Sequence, residues 1–103
     1  MDELYSILYL PIAEEDLKII FEYILADDSL TAIKILDQFD ETIDHLATFP
    51  YMGTIPRDSN LAQMNYRFLV VETFLVFYVV LEESHVVEIR RILSSKQKYD
   101  ALL

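Results

Sequence analysis

Apolar positions along this chain recur with two different periods, and the changeover divides it into an opening strand, a helical stretch and a β-rich end. Leu4 to Leu10 is largely apolar, includes Tyr5 and Tyr9, and reads as a first β-strand. Pro11 then suits the first turn of a helix, where its missing N–H costs nothing. Behind it Ala13, Leu17, Ile20, Phe21 and Ile24 return every three or four residues and mark one apolar stripe. Glu14, Glu15 and Asp16 fall in the first turn, where negative charge complements the helix dipole. The cluster Asp27-Asp28-Ser29 breaks this helix and supplies an N-cap for the next. Ala32, Leu36, Phe39, Ile43 and Leu46 mark a second amphipathic helix running to about Thr48. So short a turn between the two predicts an antiparallel helical hairpin.

Both periods stop from Phe49 to Gln63, where Pro50, Gly53 and Pro56 predict a long loop. Loops of that length in small domains tend to carry function. Beyond it the chain is β. Tyr66 to Val71 and Phe74 to Leu81 flank Glu72-Thr73, which is hairpin spacing. The second run is almost continuously apolar, so it predicts a central strand covered on both faces. After Glu82-Glu83-Ser84, His85 to Leu93 makes a third strand, and a short tail ends the chain. The order β-α-α-β-β-β predicts an α+β fold. An N-terminal strand and an antiparallel β-sheet carry the helical hairpin on one face, and the other face is left for solvent or a partner.

Length and composition narrow the class. With 103 residues, the span 1–103 makes a single domain, and 53% apolar residues lie far from the disordered regime. The absence of cysteine excludes disulfides and thiolate metal sites, and two isolated histidines, His45 and His85, do not build a metal centre. No cofactor motif occurs: there is no phosphate-binding glycine loop, no HExxH and no GxSxG. The first ten residues lack the basic start of a signal peptide, and Phe74 to Leu81 is too short to span a bilayer. A cytoplasmic protein without a membrane partner is the expectation.

Net charge is −10, and it is unevenly placed. Residues 1–56 hold 2 basic and 12 acidic side chains, whereas residues 57–103 hold 6 of each. The total argues against a generic nucleic-acid binder, yet a local cationic site in the second half is compatible with it. The candidates there are Arg67, Tyr78, Arg90, Arg91, Lys96, Lys98 and Tyr99. Alternation sends Arg90 and Arg91 to opposite faces of the third strand. Adjacent strand ends in a meander are neighbours, so Arg67 is expected near the segment from Arg91 to Tyr99. Five of them have a structural alternative. In it Arg67 caps a strand edge or pairs with Glu72, Tyr78 fills the core with its hydroxyl at the rim, Arg90 pairs with Glu88, and the two lysines keep the tail soluble.

The order of motifs resembles the RelE/ParE superfamily of toxins from type II toxin–antitoxin systems. The resemblance lies in Leu10-Pro11-Ile12-Ala13-Glu14-Glu15-Asp16-Leu17 with Tyr23-Ile24, and in Leu46-Ala47-Thr48-Phe49-Pro50-Tyr51-Met52-Gly53. It continues through the strands at residues 66–71, 75–78 and 87–93. It implies a growth-inhibiting toxin silenced by a cognate antitoxin that lays an extended segment and a helix over it. The superfamily divides in mechanism. RelE-like members cut messenger RNA at the ribosome without a metal, and carrying their pattern over names Arg67, Arg91, Lys96 and Tyr99 as catalytic candidates. ParE-like members poison DNA gyrase, a role for which Tyr78, Arg90 and Lys98 are the target-binding candidates. Two departures favour the ParE-like reading. Leu75 stands where the nucleases carry a mid-sheet arginine, and residues 66–71 lack their lysines. Loss of one charge-stabilising group slows such a reaction about 10²–10³-fold. The alternatives are a RelE-like endoribonuclease and an attenuated member kept for antitoxin binding.

Overall fold

The computed structural model describes residues 4–103, apart from the side chains of residues 100 and 101; Asp2 and Glu3, part of the acidic start, lie outside it. Strand β1 (Ser6–Tyr9) leads into helices α1 (Pro11–Asp27) and α2 (Ser29–Asp44). The second helix ends earlier than expected, in a 3-10 turn over His45–Ala47, and a short helix α3 (Ser59–Gln63) forms inside the long loop, where none was expected. Strands β2 (Tyr66–Val71), β3 (Phe74–Leu81) and β4 (Val86–Ser94) follow, and a helical turn, α4 (Tyr99–Leu102), closes the chain. No helix among the described residues is long and apolar enough to cross a membrane.

Local chemistry explains the element boundaries. Pro11 stands at the start of α1, and the Asp28 carboxylate caps α2 by accepting from Leu30 N at 3.0 Å and from the Thr31 hydroxyl at 2.8 Å. Asp58 caps α3 through Leu61 N at 3.1 Å. The two-residue β2–β3 turn places Glu72 at φ 54°, a left-handed conformation that disfavours a side chain.

The sheet order is β1-β4-β3-β2. Strands β2, β3 and β4 form the expected antiparallel meander, while β1 joins it in parallel beside β4, so the sheet is mixed. The hairpin α1–α2 covers one face. Ala13, Phe39, Ile43 and Leu46 meet Val76, Tyr78, Val87 and Ile89 there in a fully buried core. The opposite face is not open, contrary to the expectation. Leu61 from α3 and Tyr99 and Leu103 from the tail pack over Tyr66, Leu75, Phe77 and Leu93 in a second cluster. Strand β3 is thus covered on both sides, as its continuous apolar run required.

One irregularity governs the functional residues. Tyr78 pairs with Ile89 but Phe77 pairs with Arg91, so Arg90 is an extra residue in β4. Ile89 and Ile92, three positions apart, both face the helices, which a regular strand forbids. Such a bulge re-aims the side chains around it.

Candidate functional site

The bulge overturns the expected splitting of the two arginines. Arg90 lies above the Tyr66 ring, 5.5 Å from its centroid, on the face of the second cluster. Arg91 sits opposite Phe77 on that same face and donates to the Leu102 carbonyl at 3.3 Å. Both arginines therefore leave the helix-covered side.

Neither is free. Arg90 Nε donates to Glu88 at 2.8 Å. Burial works against its charge, but hydrogen bonds with Tyr66 and Glu88 outweigh that and raise its pKa. Arg91 reaches the flank of the sheet past the end of β1 and forms a two-point pair with Asp16 of α1. Nε to Oδ2 is 2.8 Å and Nη2 to Oδ1 is 3.0 Å. The same carboxylate accepts from Ile92 N at 3.0 Å, a donor that the β4 edge would otherwise leave without a strand partner. Its hydrogen bond raises the Arg91 pKa despite desolvation. Asp16 is thus committed to the sheet rather than to the dipole of its own helix. Its partners stand 75 and 76 positions away, so nothing local in the sequence announced the contact. The one available signal was its place in the Leu10–Leu17 motif.

Arg67 points the other way. On β2 it alternates with Phe68 and shares the helix-side face with Leu69 and Tyr78. Its Nη1 donates to the carbonyls of Tyr51 and Gly53 at 3.1 and 3.0 Å, and its guanidinium lies 5.2 Å from the Tyr51 ring centroid. Arg67 therefore fastens the long loop to the sheet, where pairing with Glu72 was the alternative. Tyr78 does the same from beneath. Its side chain is fully buried and its hydroxyl accepts from Gly53 N at 2.9 Å. Burial raises its pKa, opposed by the Gly53 hydrogen bond and by Arg67. Tyr78 is therefore unavailable to a partner. Gly53 is required by close approach, because an added Cβ would sit 2.5 Å from the Tyr78 hydroxyl and 2.9 Å from the Phe68 carbonyl oxygen. Composition marked Gly53 only as a loop residue.

The expected convergence of Arg67 with the Arg91–Tyr99 segment does not occur, since the two arginines occupy opposite faces of the sheet. Arg67 borders a cavity of about 450 Å³ that also contains Glu82. Arg91 borders a separate one of about 280 Å³ that contains Asp16. Tyr99 stacks on Phe77 with ring centroids 4.9 Å apart, half-buried in the second cluster. Lys96 and Lys98 are exposed on the tail. Among the described residues, these candidate cations meet a carboxylate, a carbonyl or solvent, and Arg67, Arg91 and Lys96 each border a different cavity.

Comparison with known proteins places this geometry. No curated protein is similar enough in sequence to count as a match. Among solved structures, the chromosomal ParDE toxin–antitoxin system from P. aeruginosa superposes with a TM-score of 0.71. It is 18% identical over 90% of this chain and 98% of that one. The RelBE2 toxin–antitoxin complex from Mycobacterium tuberculosis superposes with a TM-score of 0.59, at 22% identity over 88% and 98% of the two chains. Identities this low establish the shared fold. The sequence profile described as "ParE toxin of type II toxin-antitoxin system, parDE" matches residues 7–99, nearly the whole chain, and the protein accordingly belongs to the ParE toxin family of the RelE/ParE superfamily.

Proposed function

We propose that this chain is the growth-inhibiting toxin of a type II module, held silent by a cognate antitoxin, and that it acts by binding a protein target such as DNA gyrase rather than by cutting RNA. The observation that carries the second half is the dispersal of the nuclease candidates. Metal-free cleavage of a phosphodiester needs several cations and a proton-transfer group around one phosphate. Here Arg67 and Arg91 lie on opposite faces, and each shares its cavity with a carboxylate that repels a phosphate. Tyr99 is stacked on Phe77. An acidic total of −10 further opposes docking on ribosomal RNA.

The antitoxin half of the proposal draws on family membership and on the two structural neighbours, both of which are toxin–antitoxin pairs. The residues we assign to target contact are the exposed Lys96 and Lys98 of the tail, together with the half-buried Arg90 of β4. Purified chain added to DNA gyrase should inhibit supercoiling. Primer extension on cellular transcripts after induction should show no codon-phased cuts. Codon-phased cleavage with unimpaired supercoiling would establish the endoribonuclease instead. No growth arrest on induction without antitoxin would mark an attenuated member.

A further inference from the structure

The cavity beside the fastened loop holds polar chemistry that neither the antitoxin nor the target needs. Its volume of about 450 Å³ is that of a small-molecule site. Ile55 of the loop, Ala62 of α3 and Val80 of β3 make its wall partly apolar. Arg67 and Glu82 add one charge of each sign. Tyr51 bridges the two: the Arg67 guanidinium lies 5.2 Å from its ring centroid, and its hydroxyl hydrogen-bonds with Glu82. Burial first, and then Glu82, raise the Tyr51 pKa, while Arg67 works against them. The two charges thus stand about one tyrosine ring apart.

The polar groups have capacity to spare. Arg67 spends Nη1 on the Tyr51 and Gly53 carbonyls, which leaves Nη2 and Nε as donors. Asn65 also lines the cavity, held at φ 65° where its N–H donates to the Ala62 carbonyl at 3.1 Å and closes α3. Its side-chain amide donates and accepts, so it serves either end of a ligand.

This pattern of charge selects a ligand class. A phosphate or a lone carboxylate gains Arg67 but meets Glu82, and a lone ammonium gains Glu82 but meets Arg67. A molecule carrying both groups a few bonds apart satisfies both partners. Being neutral overall, it is not repelled by a chain of net charge −10. We propose that the cavity binds a small zwitterion, a free α-amino acid or a short peptide, with its carboxylate on Arg67 and its ammonium on Glu82. An aliphatic side chain of that ligand lies against Ile55, Ala62 and Val80.

The test titrates the purified whole chain with L-leucine and with leucyl-leucine, followed by amide NMR. The amides of Ile55, Asn65, Val80 and Glu82 should shift with a millimolar or tighter Kd for at least one of them. Tighter binding of leucine names the free amino acid as the source, and tighter binding of leucyl-leucine names the peptide. Isocaproate, which is leucine without its ammonium, and isoamylamine, which is leucine without its carboxylate, should each bind at least about tenfold more weakly than leucine. Glu82→Gln, at an exposed position, should weaken the preferred zwitterion about tenfold and strengthen isocaproate. No shift at these amides with up to about 50 mM of either zwitterion would overturn the site. Equal affinity for leucine, isocaproate and isoamylamine would overturn recognition by two charges. Zwitterion binding unchanged by Glu82→Gln would overturn the place given to the ammonium.

Discussion

Removing the Asp16 carboxylate tests the central structural claim, that one side chain of α1 holds the β4 bulge and the Arg91 guanidinium in place. Asp16→Ala deletes three hydrogen bonds at once, two from Arg91 and one from Ile92 N, at 2.8 to 3.0 Å. Bonds to charged groups are each worth about 1.5–3 kcal/mol when buried. The side chains here keep 19% and 13% of their exposure, which moderates screening without abolishing it. Counting the two-point pair at about 2 kcal/mol and the orphaned amide at about 1 gives a loss near 3 kcal/mol. For a 103-residue chain that corresponds to a Tm lowered by about 12–24 °C. Asp16→Asn keeps an oxygen for Ile92 N and should lose only about half as much. In urea unfolding monitored by circular dichroism, Asp16→Ala with Arg91→Met should be no less stable than Asp16→Ala alone, because the stranded guanidinium is gone. A cost below about 1 kcal/mol for Asp16→Ala would refute the reasoning, as would strictly additive effects of the two substitutions. Either result would reduce the contact to an ordinary surface ion pair.

Three further outcomes follow from the same contacts. Gly53→Ala should destabilise by about 2–4 kcal/mol, combining overpacking with loss of the buried bond to Tyr78, and Tyr78→Phe in the same chain should recover part of it in chemical denaturation. Tyr9 ionises in the unfolded chain near 10.0 but in the fold near 12, so its contribution is full below pH 10 and is lost as pH rises through 12. With solvent screening of this partly exposed ring taken into account, the shift contributes at most about 2 kcal/mol, and Tyr9→Phe should remove that portion of the alkaline loss of stability, leaving the portions from other groups. Glu72→Gly relieves a left-handed residue at φ 54° and should raise stability by up to about 1 kcal/mol in thermal unfolding; a decrease would show that the turn is unstrained.

Period and punctuation in the sequence were enough to determine the strands, both helices and their order. Val71 and Phe74 close the β2–β3 turn where Glu72-Thr73 placed it, and Asp28 caps α2 where the polar cluster broke the helix. These are local effects, in which each residue acts on backbone within a few positions of itself. The candidate site was legible only as a list of cations. Whether they met depended on a single extra residue in β4, because one inserted position reverses the facing of every side chain after it. That reversal put Arg91 on the same face as Arg90 and beside Asp16, opposite the face on which Arg67 of β2 holds the loop. The parallel entry of β1 beside β4 was equally invisible to periodicity, since apolar alternation is the same whichever way a neighbouring strand runs. Only the tertiary structure decided that the chain's acidic half would frame an open strand edge, because that edge exists where one short strand ends a sheet and two helices pass alongside it.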